Sequence, residues 1–380
     1  MTRTTCRTFL QNMVAKGKQP LRTLWRGLTT TAAGVAGAWL ADRLGIPAAM
    51  ILGPMVAVAL YRLGGGKTEP WQEPLGGLGR LLIGTVIGST FGVDVIGPLK
   101  TAAAPMVVVV SVILGVSFAL GWRLHRATHL KISTAMLASV PGGLPTMVAL
   151  ASDTDCDTTV VAAVHVARVT TVVLLIPALL PLLVTKVGIP TIESAAAVPA
   201  GCWATVGTLA IGLSSGLVAM RLKVPSGSLM IPILAVGAVN LLGAEFGPLD
   251  IEYRKLAMLL IGVSVGAQVS RNSLRQMKAV AVPAILNIAT IIFVGLLLGW
   301  ALSVTTELDL PTALLSCAPG GASTLAALAC DLGGDIRIVA ALHFIRQIAL
   351  LLFMPPILNY FNRRGVARHS HGAPDSSRNR

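Results

Sequence analysis

TAMLASVPGGLPTMVALASDTDCD, running from Thr134 to Asp157, returns 178 residues later as TALLSCAPGGASTLAALACDLGGD, Thr312 to Asp335. The match runs on without a gap. Pro141, Gly142 and Gly143 recur as Pro319, Gly320 and Gly321, and Asp153 and Asp157 recur as Asp331 and Asp335. His165 and Arg168 recur as His343 and Arg346. Upstream, Trp25, Pro47, Pro54, Gly84, Gly88, Pro105 and Trp122 pair with Trp203, Pro225, Pro232, Gly262, Gly266, Pro283 and Trp300. A duplication of this length, with helix breakers at matching places, is the pattern of transporters built from internal repeats. The period is far too long for a solenoid.

Composition places the chain in a membrane. Hydrophobic residues make up 54% and charged residues 12%, with a mean hydropathy of +0.77, where a soluble domain carries about 25% charged residues. Aromatic residues are scarce at 4% and glycines number 39, which suits close helix packing in lipid. The lipid bilayer is therefore the first expected partner. Much of the +14 net charge sits near the ends, with six Lys/Arg in residues 1–26 and five in 361–380. Such tails read as cytoplasmic anchors rather than nucleic-acid grips, so no direct nucleic-acid contact is expected. The five cysteines form no CxxC and read as small apolar residues. The basic start followed by an apolar run resembles a signal peptide, but its counterpart at 203–225 lies mid-chain, which argues for a structural helix.

Each copy holds six apolar stretches: 25–42, 46–62, 79–97, 102–122, 133–152 and 158–184, then 203–220, 224–242, 256–270, 280–303, 311–330 and 336–360. The fold expected is an all-α, polytopic transmembrane protein of two homologous repeats. Its divisions are a basic cytoplasmic tail 1–24, repeat 1 at 25–184, a connecting loop 185–202, repeat 2 at 203–362 and a basic tail 363–380. In copy one, Arg62, Lys67, Arg80, Arg123, Arg126 and Lys131 follow stretches two and four, against Arg43 and Lys100 after one and three. In copy two the bias reverses: Arg254 and Lys255 stand against Arg221, Lys223, Arg271, Arg275 and Lys278. Since Lys/Arg loops stay in the cytoplasm, the copies are expected to be inverted, with both termini cytoplasmic. Inversion needs an odd number of crossings per copy. The fifth stretch supplies the exception if VPGGLP (140–145) and APGGAS (318–323) break it into a re-entrant hairpin. The alternative is twelve plain crossings with kinks at those sites.

Chemistry concentrates at the breaks. A helix restarting after Gly143 or Gly321 presents free N–H groups and a positive dipole end, a ready anion site. Pro141, Gly142, Gly143 and Thr146, with Pro319, Gly320, Gly321 and Thr324, are thus candidate substrate-binding residues. Arg168 and Arg346 fall near mid-membrane, where a charge costs roughly 2.5–3.5 kcal/mol by insertion scales and faces a cavity or a partner. They read as anion ligands, or else as locks on the free carbonyls of the broken hairpin. His165 and His343 lie one turn earlier on the same face, as hydrogen-bonding or proton-carrying groups. Asp153 with Asp157, and Asp331 with Asp335, are spaced i, i+4; they bind a coupling cation or cap the sixth helix. No metal-ligand set, cofactor motif or catalytic constellation is evident.

The duplicated PGG…D…D…H..R block, carried by SVPGGLPTMVALASDTDCD with His165 and Arg168 and by CAPGGASTLAALACDLGGD with His343 and Arg346, resembles the AbrB duplication family of bacterial membrane proteins. The resemblance covers Trp25 to about Asn362. It implies a polytopic inner-membrane protein. The family also carries the labels of gene-expression regulator and ammonia monooxygenase; the latter requires metal ligands that this sequence does not assemble. The function expected is a secondary transporter for a small, anionic solute with ion or proton coupling and no cofactor, alone or as a homo-oligomer. A membrane protein acting in regulation of gene expression and a membrane oxidase are the alternatives.

Overall fold

A computed structural model of the chain describes residues 26–66, 72–92, 96–152, 154, 156–187, 201–222, 226–244, 247–271, 275 and 280–370. Every regular element among them is a helix. The first copy supplies α1 (26–43), α2 (Ala49–Leu63), α3 (Gln72–Ser89), α4 (Ile96–Ala127), α5 (Ile132–Ser139), α6 (Leu144–Ser152) and α7 (Thr158–Val187). The second supplies α8 (Cys202–Arg221), α9 (Gly227–Val239), α10 (Ile251–Gln268), α11 (Ala281–Thr305), α12 (Leu310–Cys317), α13 (Ala322–Asp331) and α14 (Ile336–Ser370). Five helices, α4, α7, α8, α11 and α14, contain segments long and apolar enough to cross a membrane. The third stretches begin earlier than expected, at Gln72 and Ile251, so Arg80, Arg254 and Lys255 are helical residues rather than loop charges.

These helices form two compact units that cut across the two copies. One holds α1–α3 with α8–α10, and the other α4–α7 with α11–α14. Within the first unit, glycine rows let backbones touch. A Cβ at Gly84 of α3 would collide with the Leu229 carbonyl of α9, and one at Gly88 would lie 2.9 Å from Val236 Cβ. The counterpart pair repeats this: Gly262 of α10 meets the Ile51 carbonyl of α2, and Gly266 that of Met55. So α3 runs parallel to α9, and α10 to α2. Between α3 and α10 the register runs backwards. Gly76 abuts Ser264, whereas Gly79, further along α3, abuts Leu260 and Ala257. These two helices are counterparts in the duplication, and they are antiparallel.

The second unit shows the same relation between α4 and α11. Arg123, near the end of α4, donates to Asn287 Oδ1 near the start of α11 at 2.7 Å. Earlier in α4, Val109 shares a core cluster with Leu302 near the end of α11. Reciprocal contacts of this kind, with i touching j and their counterparts touching likewise, are the mark of a two-fold relation. Antiparallel counterparts in both units support an axis across the helices, the arrangement inverted copies require.

The fifth stretch is broken in both copies. Pro141 and Pro319 have no N–H to donate and push the residue before them into extended backbone. Val140 accordingly has φ −74 and ψ 131, and Ala318 has φ −60 and ψ 138. The Gly142 and Gly320 amides then bond back to the carbonyls of Val140 and Ala318, each at 3.0 Å, closing a tight turn around the proline.

The two halves fold back on each other. Asp157 N–H donates to Thr134 Oγ1 at 3.1 Å, and Asp335 N–H to Thr312 Oγ1 at 2.6 Å. As a continuous crossing, the 23 residues between those groups would separate them by ~35 Å. The segments entering and leaving each break are therefore held together, and α5–α6 and α12–α13 are helical hairpins rather than single kinked helices. Close packing on the preceding helix supports each: Gly121 of α4 admits the Met136 backbone, and its counterpart Gly299 of α11 admits Leu314.

Candidate anion site at the two broken hairpins

The long helix after each hairpin carries the duplicated histidine and arginine down to its tip. Arg168 lies ten residues into α7, ~15 Å along it and about half of a ~30 Å hydrocarbon core. Breaking a helix leaves its last carbonyls without intrahelical donors, and the arginines take them. Arg168 Nη1 donates to the carbonyls of Val140 at 3.2 Å and Ser139 at 3.5 Å. Arg346 Nη1 donates to Ala318 at 3.0 Å, and its Nη2 to Gly320 at 3.2 Å. Both guanidinium groups are almost fully enclosed, at 2% and 4% exposure. Their hydrogen bonds go to carbonyls and, for Arg346, to a histidine; among the described residues neither bonds to a carboxylate.

The histidines are buried beside them but used differently. His343 Nδ1 accepts from Arg346 Nη2 at 2.7 Å, so its proton sits on Nε2, which donates to the Leu315 carbonyl at 3.0 Å. His165 Nδ1 instead donates to the Val161 carbonyl one turn back at 2.9 Å, leaving Nε2 as an acceptor with no partner. Arg168 Nε is likewise buried without a partner.

The helices restarting beyond the breaks are α6 and α13, which begin one residue after Gly143 and Gly321. Pro141, Gly142, Pro319 and Gly320 are buried, and Gly143 and Gly321 are half-buried. Thr324, 3% exposed, puts its hydroxyl 3.4 Å from where a Cβ at Gly321 would stand; Thr146 is half-buried. The structure thus gathers Arg168, Arg346, His165, His343 and the two Pro-Gly-Gly turns within one unit.

It does not bring the acidic residues there. Asp157 is exposed and caps α7, its Oδ1 accepting from the Thr159 and Val160 amides at 2.9 and 3.1 Å. Asp335 accepts from the Arg337 amide at 2.8 Å and forms an ion pair with the same side chain at 2.8 Å. Asp331 is exposed at the end of α13. These carboxylates belong to the hairpin bases, ~16 Å along the helix from the arginines. Asp153 lies outside the described residues. Among the described residues, no three His, Cys, Asp or Glu side chains gather as a metal-ligand set, so the ligands that a monooxygenase label implies are not assembled among them.

One residue of the site escaped the sequence reading. Gln347, 7% exposed, reaches from α14 to the first break, where its Oε1 accepts from the Gly143 amide at 3.2 Å. Its counterpart is Val169. The available signal was a polar residue interrupting the match beside Arg346, in an otherwise apolar helix.

Comparison with known proteins identifies the family. The family described as "Transition state regulatory protein AbrB" matches residues 56–362. "Putative regulator AbrB" of Escherichia coli (strain K12) is 28% identical over 334 residues, covering 83% of this chain and 91% of that protein. "Uncharacterized protein YhjN" of Bacillus subtilis (strain 168) is 24% identical over 381 residues, covering 94% and 96%. With a match over most of its length, this chain, a helical membrane protein, belongs to the AbrB family.

Proposed function

We propose that the protein is a secondary transporter for a small anionic solute, coupled to a proton or another ion, in the bacterial inner membrane with both termini cytoplasmic. One observation carries this reading. Two guanidinium groups are enclosed at the two hairpin breaks, and among the described residues no carboxylate hydrogen-bonds to either. Buried charge without a counter-charge is expensive. An anion arriving between restarted helices supplies that counter-charge, and the N-terminal dipoles of α6 and α13 add to its stabilisation. Inverted copies with broken helices at the midplane have the architecture that alternating access uses.

The substrate ligands on this reading are Arg168, Arg346, the Pro-Gly-Gly turns, Thr146 and Thr324. His165 and His343 are the proton-coupling groups, and the carboxylates at the hairpin bases draw a cation towards the entrance. The Escherichia coli relative is named a regulator; on this reading any regulatory effect of the present protein is indirect, through the solute moved. Reconstitution into proteoliposomes tests the reading. Anion uptake driven by a proton or sodium gradient, lost in both Arg168→Ala and Arg346→Ala, supports it. Gradient-driven uptake that survives both substitutions removes the assigned site.

A further inference from the structure

The duplication suggests two equal anion ligands, but the hydrogen bonds divide them. Arg346 has both terminal nitrogens engaged, on Ala318, Gly320 and His343. Arg168 has only Nη1 engaged, and its Nε is buried with nothing to donate to. Gln347 meets the first break three residues beyond Val140, the carbonyl on which Arg168 rests. Its Oε1 is held by the Gly143 amide, which fixes the side chain, while its Nε2 is buried without an acceptor. Buried donors left unpaired are costly, and here two of them belong to side chains that meet the first break. The second break has Val169 at the position corresponding to Gln347.

Resting on the transporter reading, we propose that the anion seat is one-sided: a monocarboxylate binds at the first break, between Arg168 Nε and Gln347 Nε2. Arg346 is then a positioning residue that holds the second hairpin. Two open side-chain donors match the two oxygens of one carboxylate. A tetrahedral dianion offers more acceptors than these donors satisfy and brings twice the charge into the membrane. Gln347 also ties this seat to α14, so its fixed Oε1 orients the donor before the anion arrives.

The test uses the full-length protein in detergent, with acetate, lactate and benzoate as probes and chloride and phosphate for comparison. Thermal shift gives the apparent Kd. At least one monocarboxylate is expected to stabilise the wild type more than phosphate does. Gln347→Glu keeps the acceptor for the Gly143 amide and places a carboxylate oxygen where Nε2 stood, filling the seat from within. It is expected to melt at or above the wild-type temperature and to lose the carboxylate response at least ten-fold. Gln347→Val, the residue of the other copy, is expected to raise the apparent Kd about ten-fold, through loss of a hydrogen bond to a charged group. An unchanged Kd in a folded Gln347→Glu protein overturns the seat, and a preference for phosphate overturns the substrate class. A wild type that neither responds to any of these anions nor transports one under a gradient removes the transporter reading itself. Flux that persists without dependence on Gln347 removes only this inference.

Discussion

The two hairpins share a sequence, a backbone turn and a base, yet they spend their arginines differently. At the base they match: a threonine hydroxyl accepts the amide of the aspartate that begins the next helix, Thr134 for Asp157 and Thr312 for Asp335. At the tip they part. The second copy closes its network, with Arg346, His343 and three carbonyls all paired. The first leaves His165 Nε2 and Arg168 Nε without partners and brings in Gln347 from the other copy. Closed networks in a low-dielectric interior stabilise a structure, whereas incomplete ones destabilise it unless something else completes them. The difference separates an arginine–histidine pair that is closed within its own copy from one that leaves two buried nitrogens without partners.

The largest effect tests whether the hairpins face opposite sides at all. Thr154→Cys and Leu332→Cys, counterparts at the two bases, are expected to label with an impermeant thiol reagent from opposite sides of the membrane, in an otherwise cysteine-free protein. Labelling from one side would make the copies parallel and dissolve the shared level of the two tips.

Stability should then rank the tips. Arg346→Ala leaves the Gly320 carbonyl and His343 Nδ1 unpaired, while the Ala318 carbonyl keeps the Gly320 amide; at about 1–3 kcal/mol per orphaned group, a loss of about 4 kcal/mol is expected. Arg168→Ala should cost about 2 kcal/mol less, because only Nη1 was engaged. Melting of the two variants in detergent compares them directly, and equal losses would break the distinction between finished and unfinished tips.

The bases should respond alike, which sharpens the same contrast. Thr134→Val and Thr312→Val each leave one aspartate amide without its acceptor and should destabilise by about 1–2 kcal/mol, with similar melting shifts for both. The smallest effect concerns the caps. Asp157→Ala should cost about 1 kcal/mol. Asp335→Ala should cost slightly more, because it also breaks the pair with Arg337, a partly exposed bridge worth no more than ~1 kcal/mol. Faster amide hydrogen exchange confined to the first turns of α7 and α14 would register both. Exchange that speeds up through the hairpin tips would mean that base and tip are not separable.

Much of this was legible in the residues. Most helical elements fall within a few residues of the apolar stretches, because a crossing demands a long run of apolar side chains; the stretch expected at 79–97 is instead Gln72–Ser89. The breaks sit at Pro141 and Pro319, where two glycines follow the proline, whereas Pro54 and Pro232 without them stay inside helices. The arginines and histidines at the tips were readable from charge placed mid-span. The early starts of α3 and α10 were not, because a hydropathy pattern stops at the first charges, whereas a helix continues through Glu252 and Arg254 by backbone hydrogen bonding alone.

The roles of the acidic residues shared the same limit. Their i, i+4 spacing fits either a cation site or a cap, and only the position of Asp157 beneath two free amides and of Asp335 against Arg337 separates these. Gln347 was invisible for a related reason: its partner, Gly143, is 204 residues away.

The sequence alone determined that this is a duplicated, all-helical membrane protein with paired breaks, because apolar length, proline chemistry and repetition are properties of the chain itself. Tertiary structure alone decided that the breaks are hairpins rather than kinks, that counterpart helices run antiparallel, and that one arginine is spent while the other keeps a free donor. Those facts depend on which distant groups meet across the fold, and a hydrogen bond between residues far apart in the chain leaves no trace in local composition.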